Sequence, residues 1–589
     1  MPYFLYLWRK YTSGIDIFEY FGIIILWNGV LILKIPVLKL KYSKPESLRS
    51  VLRESAEKFS DKVAYKYFVS PNEVAEMTYA QLYETFNNLG TSIIAKDLRK
   101  TKIAILSENR PEWIISYSAI ISCGSVVIPL DKELLPAQIE NFLKYSEVSA
   151  VFCSSKYAEK LVGMDLPTLR CIIDFDNGTY EDSRCTSYAD MIEEGARLIA
   201  EGNCNFFTCK YDSSKMSALL FTSGTTGTSK GVMLSEENIL TALNAATNMI
   251  DIKSDNVLLS VLPMHHTYET TAGQLTALRL GVTICINNSL KYVMRNMKRF
   301  QPTLMVVVPL YITTIKKKIS DEIKNKKKEK TVELGVKATK VLRKVGLDAR
   351  GMVFSEILSA LGGKLKTIIC GGAATDPEAI KWFENIGINV YQGYGITECS
   401  PLVAVNPLVN VHYDSVGLPI LGSKVKIISE DKETEIDLPN GEIGEIVVKG
   451  GHVMLGYYND EAATKAAFTE DGYFRTGDYG YMDDDGYLYI TGRKKNIIIL
   501  DNGKNVYPEE IEEYLERVET IKESVVIGRE NANGEVVITA LIHPDFDQFK
   551  DCSEEQIVDA MRAEVAKINK FLPTFKQIRN IELKKNEFE

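Results

Sequence analysis

The chain has 589 residues, of which 45% are hydrophobic and 25% charged, and its formal net charge at pH 7 is −9. This length exceeds what one hydrophobic core supports, so we expect at least two domains. The composition is that of a globular protein, and the negative charge argues against a general affinity for nucleic acid or anionic membranes.

Cysteine and histidine usage gives no sign of a disulfide framework or a zinc site. The ten cysteines are scattered without a C-x-x-C pair, and the five histidines include one adjacent pair, His265 and His266, with no cysteine nearby. Scattered thiols are typical of a reducing compartment, so we expect a cytoplasmic protein. A zinc site needs a tighter ligand cluster than this sequence offers.

The first 44 residues form an apolar extension. Residues 20–33, YFGIIILWNGVLIL, contain Asn28 as their one strongly polar side chain. They are fewer than the roughly 20 residues that a membrane-spanning helix needs, and no small-residue cleavage site comes after them. Three interpretations stay open: shallow insertion at a membrane surface, packing on the domain as a hairpin or strand, and a short membrane anchor.

From Pro45 onwards, predicted strands alternate with predicted helices. Apolar spacing predicts a helix over residues 47–59 and a strand over 63–68, and Thr78 is a plausible N-cap of the next helix. Further short apolar strands come later in the chain, at 102–106 for example. This alternation predicts covered, mostly parallel sheets.

Residues 220–231, LFTSGTTGTSKG, form a loop with the chemistry of a phosphate site, directly after a predicted buried strand. Glycines let the backbone approach an anion, and N–H groups, hydroxyls and Lys230 can bind it. The spacing is not that of a P-loop. An ordinary surface loop has a similar composition, so the assignment depends on the sequence blocks downstream of this loop.

Three further blocks occur in order: YGITE at 394–398, YFRTGD at 473–478 and GRKK at 492–495. With TSGTTGTSKG at 222–231, they resemble the signature of the adenylate-forming enzymes, which include acyl-CoA synthetases, peptide-synthetase adenylation domains and firefly-type luciferases. The resemblance covers about residues 45–589 and is closest to long-chain fatty acyl-CoA synthetases. ENRPEW at 108–113 and the Lys-rich helical segment at 316–350 indicate this branch.

The resemblance implies an α/β fold. It predicts a large N-terminal domain of covered, mostly parallel sheets with a small barrel-like part, then a small mobile α+β C-terminal domain. We expect an apolar extension at 1–44, an adenylation domain for ATP and the acyl group at 45–493, and a swinging domain at 494–589. Relatives carry a catalytic lysine in a T-x-x-G-K-like segment near the C-terminus, and the given sequence lacks that pattern, through truncation or loss.

The resemblance also implies roles for individual residues. The predicted catalytic residues are Thr222, Lys230, His266, Glu398 and Lys495. The predicted ATP-binding residues are Thr222, Ser223, Gly224, Thr225, Thr226, Gly227, Lys230, Gly372, Ala373, Ala374, Tyr394, Gly395, Thr397, Asp478 and Arg493. Tyr394 would stack on the purine, Asp478 and Arg493 would bind the ribose, and Glu398 would bind Mg²⁺.

The remaining implied sites concern the acyl group and coenzyme A. His266 and Tyr268 would form the acyl pocket, although an ordinary loop histidine is the open alternative for His266. Lys495 would be the hinge, and Gly503, Lys504 and Asn505 would face the thioester-forming site. The segment 316–350 is predicted to be a solvated helical insertion, and contact of its lysines with CoA phosphates or lipid headgroups is the lesser alternative.

The implied function is ATP-dependent activation of a fatty acid, expected to be long-chain, to acyl-adenylate and then acyl-CoA. AMP and pyrophosphate are released, ATP, CoA and Mg²⁺ are required, and no nucleic acid takes part. One alternative is transfer of the acyl group to a carrier protein. The other is a pseudoenzyme that binds nucleotide and lipid. Peripheral membrane contact through residues 1–44 stays open, and the sequence does not predict the oligomeric state.

Overall fold

The computed structural model describes residues 41–222, 230–429, 435–500, 505–531, 535–550 and 552–588. The predictions for residues 1–40 of the extension lie outside this part of the chain. We number the strands and helices of the described residues in chain order.

The strands are β1 (Val63–Phe68), β2 (Val74–Thr78), β3 (Lys102–Leu106), β4 (Val126–Pro129), β5 (Ala150–Cys153), β6 (Cys171–Asp174), β7 (Cys185–Ser187), β8 (Met216–Thr222), β9 (Lys230–Ser235), β10 (Val257–Ser260), β11 (Thr283–Ile286), β12 (Leu304–Val307), β13 (Thr367–Cys370), β14 (Asn389–Tyr394), β15 (Ala404–Val405), β16 (Leu418–Pro419), β17 (Ser423–Ile428), β18 (Gly444–Gly450), β19 (Gly456–Tyr457), β20 (Phe474–Met482), β21 (Leu488–Arg493), β22 (Ile498–Ile499), β23 (Asn505–Val506), β24 (Ile521–Glu530), β25 (Val536–Pro544) and β26 (Asn580–Leu583).

The α-helices are α1 (Leu48–Phe59), α2 (Tyr79–Ala95), α3 (Pro111–Ser122), α4 (Pro136–Tyr145), α5 (Ser155–Val162), α6 (Tyr188–Ala200), α7 (Asn205–Thr208), α8 (Glu236–Met249), α9 (Thr276–Arg279), α10 (Val293–Phe300), α11 (Pro309–Asn325), α12 (Glu329–Lys344), α13 (Arg350–Val353), α14 (Ser355–Ala360), α15 (Pro377–Asn385), α16 (Glu461–Ala466), α17 (Pro508–Glu516) and α18 (Glu554–Ile568). A π-helix spans Tyr268–Leu275, and short 3₁₀ turns span Leu290–Tyr292, Thr397–Cys399, Phe546–Gln548 and Thr574–Lys576.

Two large sheets form the N-terminal part. Sheet A has the strand order β16-β15-β14-β13-β12-β10-β11-β1-β2, and sheet B has the order β19-β9-β8-β4-β3-β5-β6-β7. Most neighbours are parallel, with antiparallel pairs at the edges of sheet A and at β8–β9–β19 in sheet B. One buried apolar cluster joins both sheets and the helices around them. The predicted α/β fold with mostly parallel sheets is confirmed.

Two smaller sheets come after them in the chain. Where the sequence predicted a barrel-like part, the structure has a four-stranded antiparallel sheet, sheet C, in the order β17-β18-β20-β21. Near the C-terminus, β24, β25 and β26 form a three-stranded sheet that packs with α17 and α18 around its own apolar core. The predicted small α+β C-terminal unit therefore has a core separate from that of the large sheets.

Local signals in the sequence account for several element boundaries. Ser47 and Thr78 cap α1 and α2, and each belongs to a reciprocal capping box with the third residue of its helix. The predicted strands at 63–68 and 102–106 match β1 and β3 at both ends. The Lys-rich insertion is helical as predicted and consists mainly of α11 and α12. None of the helices in the described ranges is long and apolar enough to span a membrane.

Gly195 is where α6 packs most tightly on α2. A Cβ atom added there would lie 1.9 Å from the carbonyl oxygen of Asn88, well inside contact distance. We expect Gly195→Ala to destabilise the protein by about 3 kcal/mol, because neither backbone can yield without repacking the core. Gly163→Ala is the matched control, since its nearest atom would be 3.8 Å away. Thermal unfolding midpoints test this, and equal midpoints for the two variants would contradict it.

Candidate active site

The predicted phosphate loop lies between two paired strands. β8 ends at Thr222 and β9 begins at Lys230, and these two residues are cross-strand partners in sheet B. Antiparallel pairing therefore holds both ends of the loop together. The loop itself, residues 223–229, lies outside the described residues, and with it the predictions for Ser223, Gly224, Thr225, Thr226 and Gly227.

A buried carboxylate joins sheet A to sheet C. The Tyr394 hydroxyl, at the end of β14, donates a short hydrogen bond to Asp478 Oδ2 on β20. Arg493 Nε lies 3.1 Å from Asp478 Oδ1, and strand pairing places Arg493 directly opposite Asp478. Tyr394 and Arg493, from two other sequence blocks, thus both contact the carboxylate of Asp478.

Burial controls the ionisation of this cluster. Asp478 is 3% exposed, and desolvation raises its carboxyl pKa above the usual value although Arg493 opposes the shift. Burial and the neighbouring Asp478 likewise raise the pKa of the Tyr394 hydroxyl, which stays a donor at neutral pH. Arg493 is 61% exposed in its side chain, so it can move to meet a ligand. The arrangement suits a diol, with acceptors held in place and a mobile cation above them.

Glu398 is connected to Lys230 through Tyr457. The Tyr457 hydroxyl donates a 3.0 Å hydrogen bond to Glu398 Oε1, and Lys230 Nζ lies 4.5 Å from the centre of the Tyr457 ring. Burial raises the pKa of the half-buried Glu398 carboxyl. Within the described residues no cluster of three or more metal-ligating side chains occurs. One carboxylate fits Mg²⁺, since that ion is commonly held by one or two carboxylates together with substrate phosphates.

An apolar cavity of about 90 Å³ adjoins this cluster. Its walls come from α8, the π-helix, the turn after β13 and the segments around β14, β15 and β16. The predicted residues that line it are Gly372, Tyr394, Gly395 and Tyr268. Tyr268 is fixed in the wall because its hydroxyl donates to the carbonyls of Val307 and Ile369.

Other predicted residues lie beside the cavity without lining it. Ala373 and Ala374 are exposed in the turn after β13, and Thr397 is half-buried in a 3₁₀ turn next to Glu398. His266 is exposed and is not a lining residue of the cavity, and its ring centre lies 4.2 Å from that of His265 with the two planes tilted by 41°. Its assignment to the acyl pocket therefore stays a prediction.

The predicted hinge region contacts the C-terminal unit through Glu509. Glu509 Oε1 accepts hydrogen bonds from the Arg493 backbone N–H at 3.3 Å and from Asn496 Nδ2 at 2.6 Å. Lys495 is exposed, and partial burial together with nearby Lys230 and Arg493 lowers its pKa. Of the predicted thioester face, Gly503 and Lys504 lie outside the described residues, while the backbone of Asn505 in β23 pairs with Ile499 in β22.

A buried glutamate in the π-helix was given no role from the sequence. Glu269 is fully buried, and its Oε1 accepts hydrogen bonds from Ser260 Oγ at 2.6 Å and Gln274 Nε2 at 2.7 Å. Tyr65 donates to Gln274 Oε1 at 2.8 Å. This network lies behind the face of the π-helix that carries Tyr268 towards the cavity. No signal in the sequence indicated its burial, because the surrounding residues 265–274, HHTYETTAGQ, are largely polar.

Glu269 gives a pH-dependent prediction. Burial raises its pKa from 4.5 to about 7, so between these values the folded protein keeps a proton that the unfolded chain has released. The ionisation of Glu269 therefore lowers the free energy of unfolding as the pH rises from 4.5 to 7. Above pH 7 the loss is complete and amounts to about 3 kcal/mol. We expect Glu269→Gln to be more stable than wild type at pH 8 and about equal at pH 4.

Unfolding at a series of pH values compares this variant with Glu237→Gln, which changes an exposed carboxylate on α8. The control should keep the wild-type pH dependence. An unchanged pH dependence in Glu269→Gln would contradict a neutral Glu269 in the folded state.

Comparison with known families agrees with this geometry. The family model described as AMP-binding enzyme matches residues 52–458, and the model of the AMP-binding enzyme C-terminal domain matches residues 495–586. The chain belongs to the AMP-binding enzyme family. The resemblance to adenylate-forming enzymes inferred from the sequence blocks is therefore confirmed.

Individual relatives of this AMP-binding enzyme are distant but extend over most of its length. It is 27% identical to a chloroplastic long-chain-fatty-acid–[acyl-carrier-protein] ligase of Arabidopsis thaliana, over 89% of this chain and 80% of the relative. It is also 27% identical to long-chain-fatty-acid–CoA ligase 1 of Homo sapiens, over 86% of this chain and 77% of the relative. The structure of a Mycobacterium tuberculosis fatty acyl CoA synthetase is similar in fold, with a TM-score of 0.62, 23% identity and coverage of 92% and 94%.

Proposed function

We propose that this AMP-binding enzyme is an AMP-forming fatty acid–CoA ligase with a preference for long-chain acids. The observation that carries the proposal is that one residue, Tyr394, belongs both to the apolar cavity and to the Asp478 cluster. Tyr394 and Gly395 line the apolar cavity, and the Tyr394 hydroxyl binds the buried carboxylate of Asp478. An apolar acid in the cavity and a nucleoside at Asp478 would therefore meet at Tyr394.

The reaction uses this juxtaposition. The fatty-acid carboxylate attacks the α-phosphate of ATP, pyrophosphate leaves, and an acyl-adenylate forms. The CoA thiol then attacks the acyl carbonyl carbon, and AMP leaves with the electron pair of the broken C–O bond. The first step depends on positioning and on stabilisation of phosphate charge.

The proposed roles of the residues correspond to the sequence blocks. Thr222, Lys230 and the loop between them bind the phosphates. Tyr394, Asp478 and Arg493 bind adenosine, with Gly372, Ala373, Ala374, Gly395 and Thr397 around it. Glu398 would hold Mg²⁺, which neutralises phosphate charge when bound. His266 lies near the carboxylate, and Tyr268 forms the pocket wall.

The domain roles are also proposals. Residues 45–493 bind ATP and the acid, residues 494–589 swing about Lys495, and residues 1–44 extend from the large domain. In the thioester-forming arrangement Gly503, Lys504 and Asn505 face the site. A swinging domain presents different groups to the same carbonyl carbon in the two half-reactions.

AMP release in the presence of ATP, Mg²⁺, CoA and either palmitate or acetate tests the proposal. Palmitate-dependent release of AMP supports a long-chain ligase, and release with acetate alone would contradict the chain-length preference. No AMP with any acid would contradict a complete enzyme and favour the pseudoenzyme alternative. Thioester formation from preformed palmitoyl-adenylate then separates the second step from the first.

A carrier protein is the second candidate acceptor. It is favoured by the similarity to the Arabidopsis acyl-carrier-protein ligase. Replacing CoA with an acyl-carrier protein in the same assay distinguishes the two acceptors. Acyl transfer to the carrier protein without transfer to CoA would overturn the CoA proposal.

A further inference from the structure

Helix α12 has two apolar faces, although packing on its own domain needs only one. Val332 and Val336 pack against the main core, and Thr339 on the same side is 1% exposed. Three aliphatic side chains on the opposite side are largely exposed: Leu334 (65%), Val341 (64%) and Val345 (70%). Their spacing of seven and four residues places them along one line on the helix.

The residues after α12 add to the exposed aliphatic surface. Leu347 is 61% exposed and Met352 is 81% exposed. Val353 packs beside Gly335, the neighbour of Leu334, since a Cβ at Gly335 would lie 2.9 Å from Val353. We call Leu334, Val341, Val345, Leu347 and Met352 the aliphatic face. Contiguous exposed apolar side chains on a water-soluble domain mark a docking surface more often than scattered ones do.

The insertion that carries this face is strongly basic. Residues 316–350 contain thirteen Lys and Arg residues against five Asp and Glu residues, a net charge of +8 in a chain whose total is −9. Lys330, Lys337 and Lys344, each seven residues from the next, run along one flank of the aliphatic face. Lys337 pairs with Glu333 at 2.7 Å, while Lys330 and Lys344 have no ion pair among the described residues.

We propose that the aliphatic face and its lysine flank dock on the surface of an anionic phospholipid bilayer. Exposed Leu, Val and Met side chains insert at the headgroup level, and the lysines bind anionic lipid headgroups. The phosphates of a nucleic acid could pair with the lysines, but a nucleic acid offers no apolar surface to cover a row of aliphatic side chains. The proposal does not depend on the proposed ligase activity, because vesicle binding is measured without catalysis.

Sedimentation of the full chain with vesicles tests the proposal, using phosphatidylcholine alone or phosphatidylcholine mixed with phosphatidylserine. The charge variant is K330E/K337E/K344E, and the aliphatic variant is L334S/V341S/V345S. We expect binding to the mixed vesicles to exceed binding to phosphatidylcholine, and each variant to lower the partition coefficient at least about 10-fold. Circular dichroism checks that both variants are folded.

Two control variants match these changes elsewhere on the surface. Leu135→Ser removes an aliphatic side chain that is 65% exposed, as Leu334 is, and K100E/K160E/K570E reverses three other exposed lysines. Both controls should bind vesicles like wild type. Wild-type binding by both test variants would assign membrane contact to another region and overturn the proposal. Loss in the charge variant alone, with competition by duplex DNA, would indicate a nucleic-acid surface and also overturn it.

Discussion

Asp478→Asn is expected to lower kcat/KM for ATP about 100-fold. The carboxylate accepts a hydrogen bond from the Tyr394 hydroxyl and pairs with Arg493, and it is almost completely buried. A hydrogen bond to a buried charge contributes about 1.5–3 kcal/mol. The amide keeps the size of the side chain but loses the charge and replaces one acceptor with a donor, so a ribose hydroxyl and Arg493 both lose their partner.

Two other variants make this result specific. Tyr394→Phe removes one neutral donor, and we expect a fall of about 5-fold, from a loss of about 1 kcal/mol. Asp471→Asn changes an exposed carboxylate just before the 473–478 block, one that pairs with Lys426, and it should alter the KM for ATP less than about 2-fold. Steady-state kinetics with varied ATP gives KM and kcat separately. A wild-type KM for ATP in Asp478→Asn would contradict the nucleoside role of Asp478.

Ala246→Phe is expected to lower kcat/KM for palmitate about 100-fold. Ala246 on α8 lines the apolar cavity together with Met249 and Tyr268. A phenyl group there would occupy the space of three or four methylene groups of a long acyl chain. Each methylene that is no longer buried costs about 0.8 kcal/mol, or about 3 kcal/mol in total.

Comparing fatty acids of different length shows whether the loss of activity in Ala246→Phe comes from a blocked acyl site. Octanoate should lose much less activity than palmitate in Ala246→Phe, and the KM for ATP should stay close to the wild-type value. Ala80→Phe adds the same side chain at an exposed position of α2 and should leave both acids unaffected. An equal loss for palmitate and octanoate would contradict an acyl chain in this cavity and indicate a general packing defect.

The secondary structure could largely be predicted because its determinants are local. Ser47 and Thr78 lie next to the helices that they cap, and period-two and helical apolar patterns extend over contiguous residues. Family blocks such as YGITE and YFRTGD are also contiguous, so they indicated the fold class and the order of the site segments. Whole-chain composition was less informative, because a net charge of −9 conceals a segment of +8.

The contacts within the site could not be predicted in the same way. Tyr394 and Asp478 are 84 residues apart and were assigned separate roles, adenine and ribose, yet a hydrogen bond joins them. Tyr457 lies between Lys230 and Glu398, a position that no spacing in the sequence indicates. The buried network of Glu269 includes Tyr65 through a hydrogen bond from Tyr65 to Gln274, 209 residues away.

The sequence by itself determined the family, the alternation of strands and helices, and the residue types at the candidate site. These properties are encoded in short stretches of neighbouring residues. Only the tertiary structure decided that Tyr394 joins an apolar cavity to Asp478, that Glu269 is buried behind the cavity wall, and that α12 turns a second apolar face to solvent. Such relations depend on strand order and on burial by distant segments, because the energy of a polar or apolar side chain is set by its surroundings after folding.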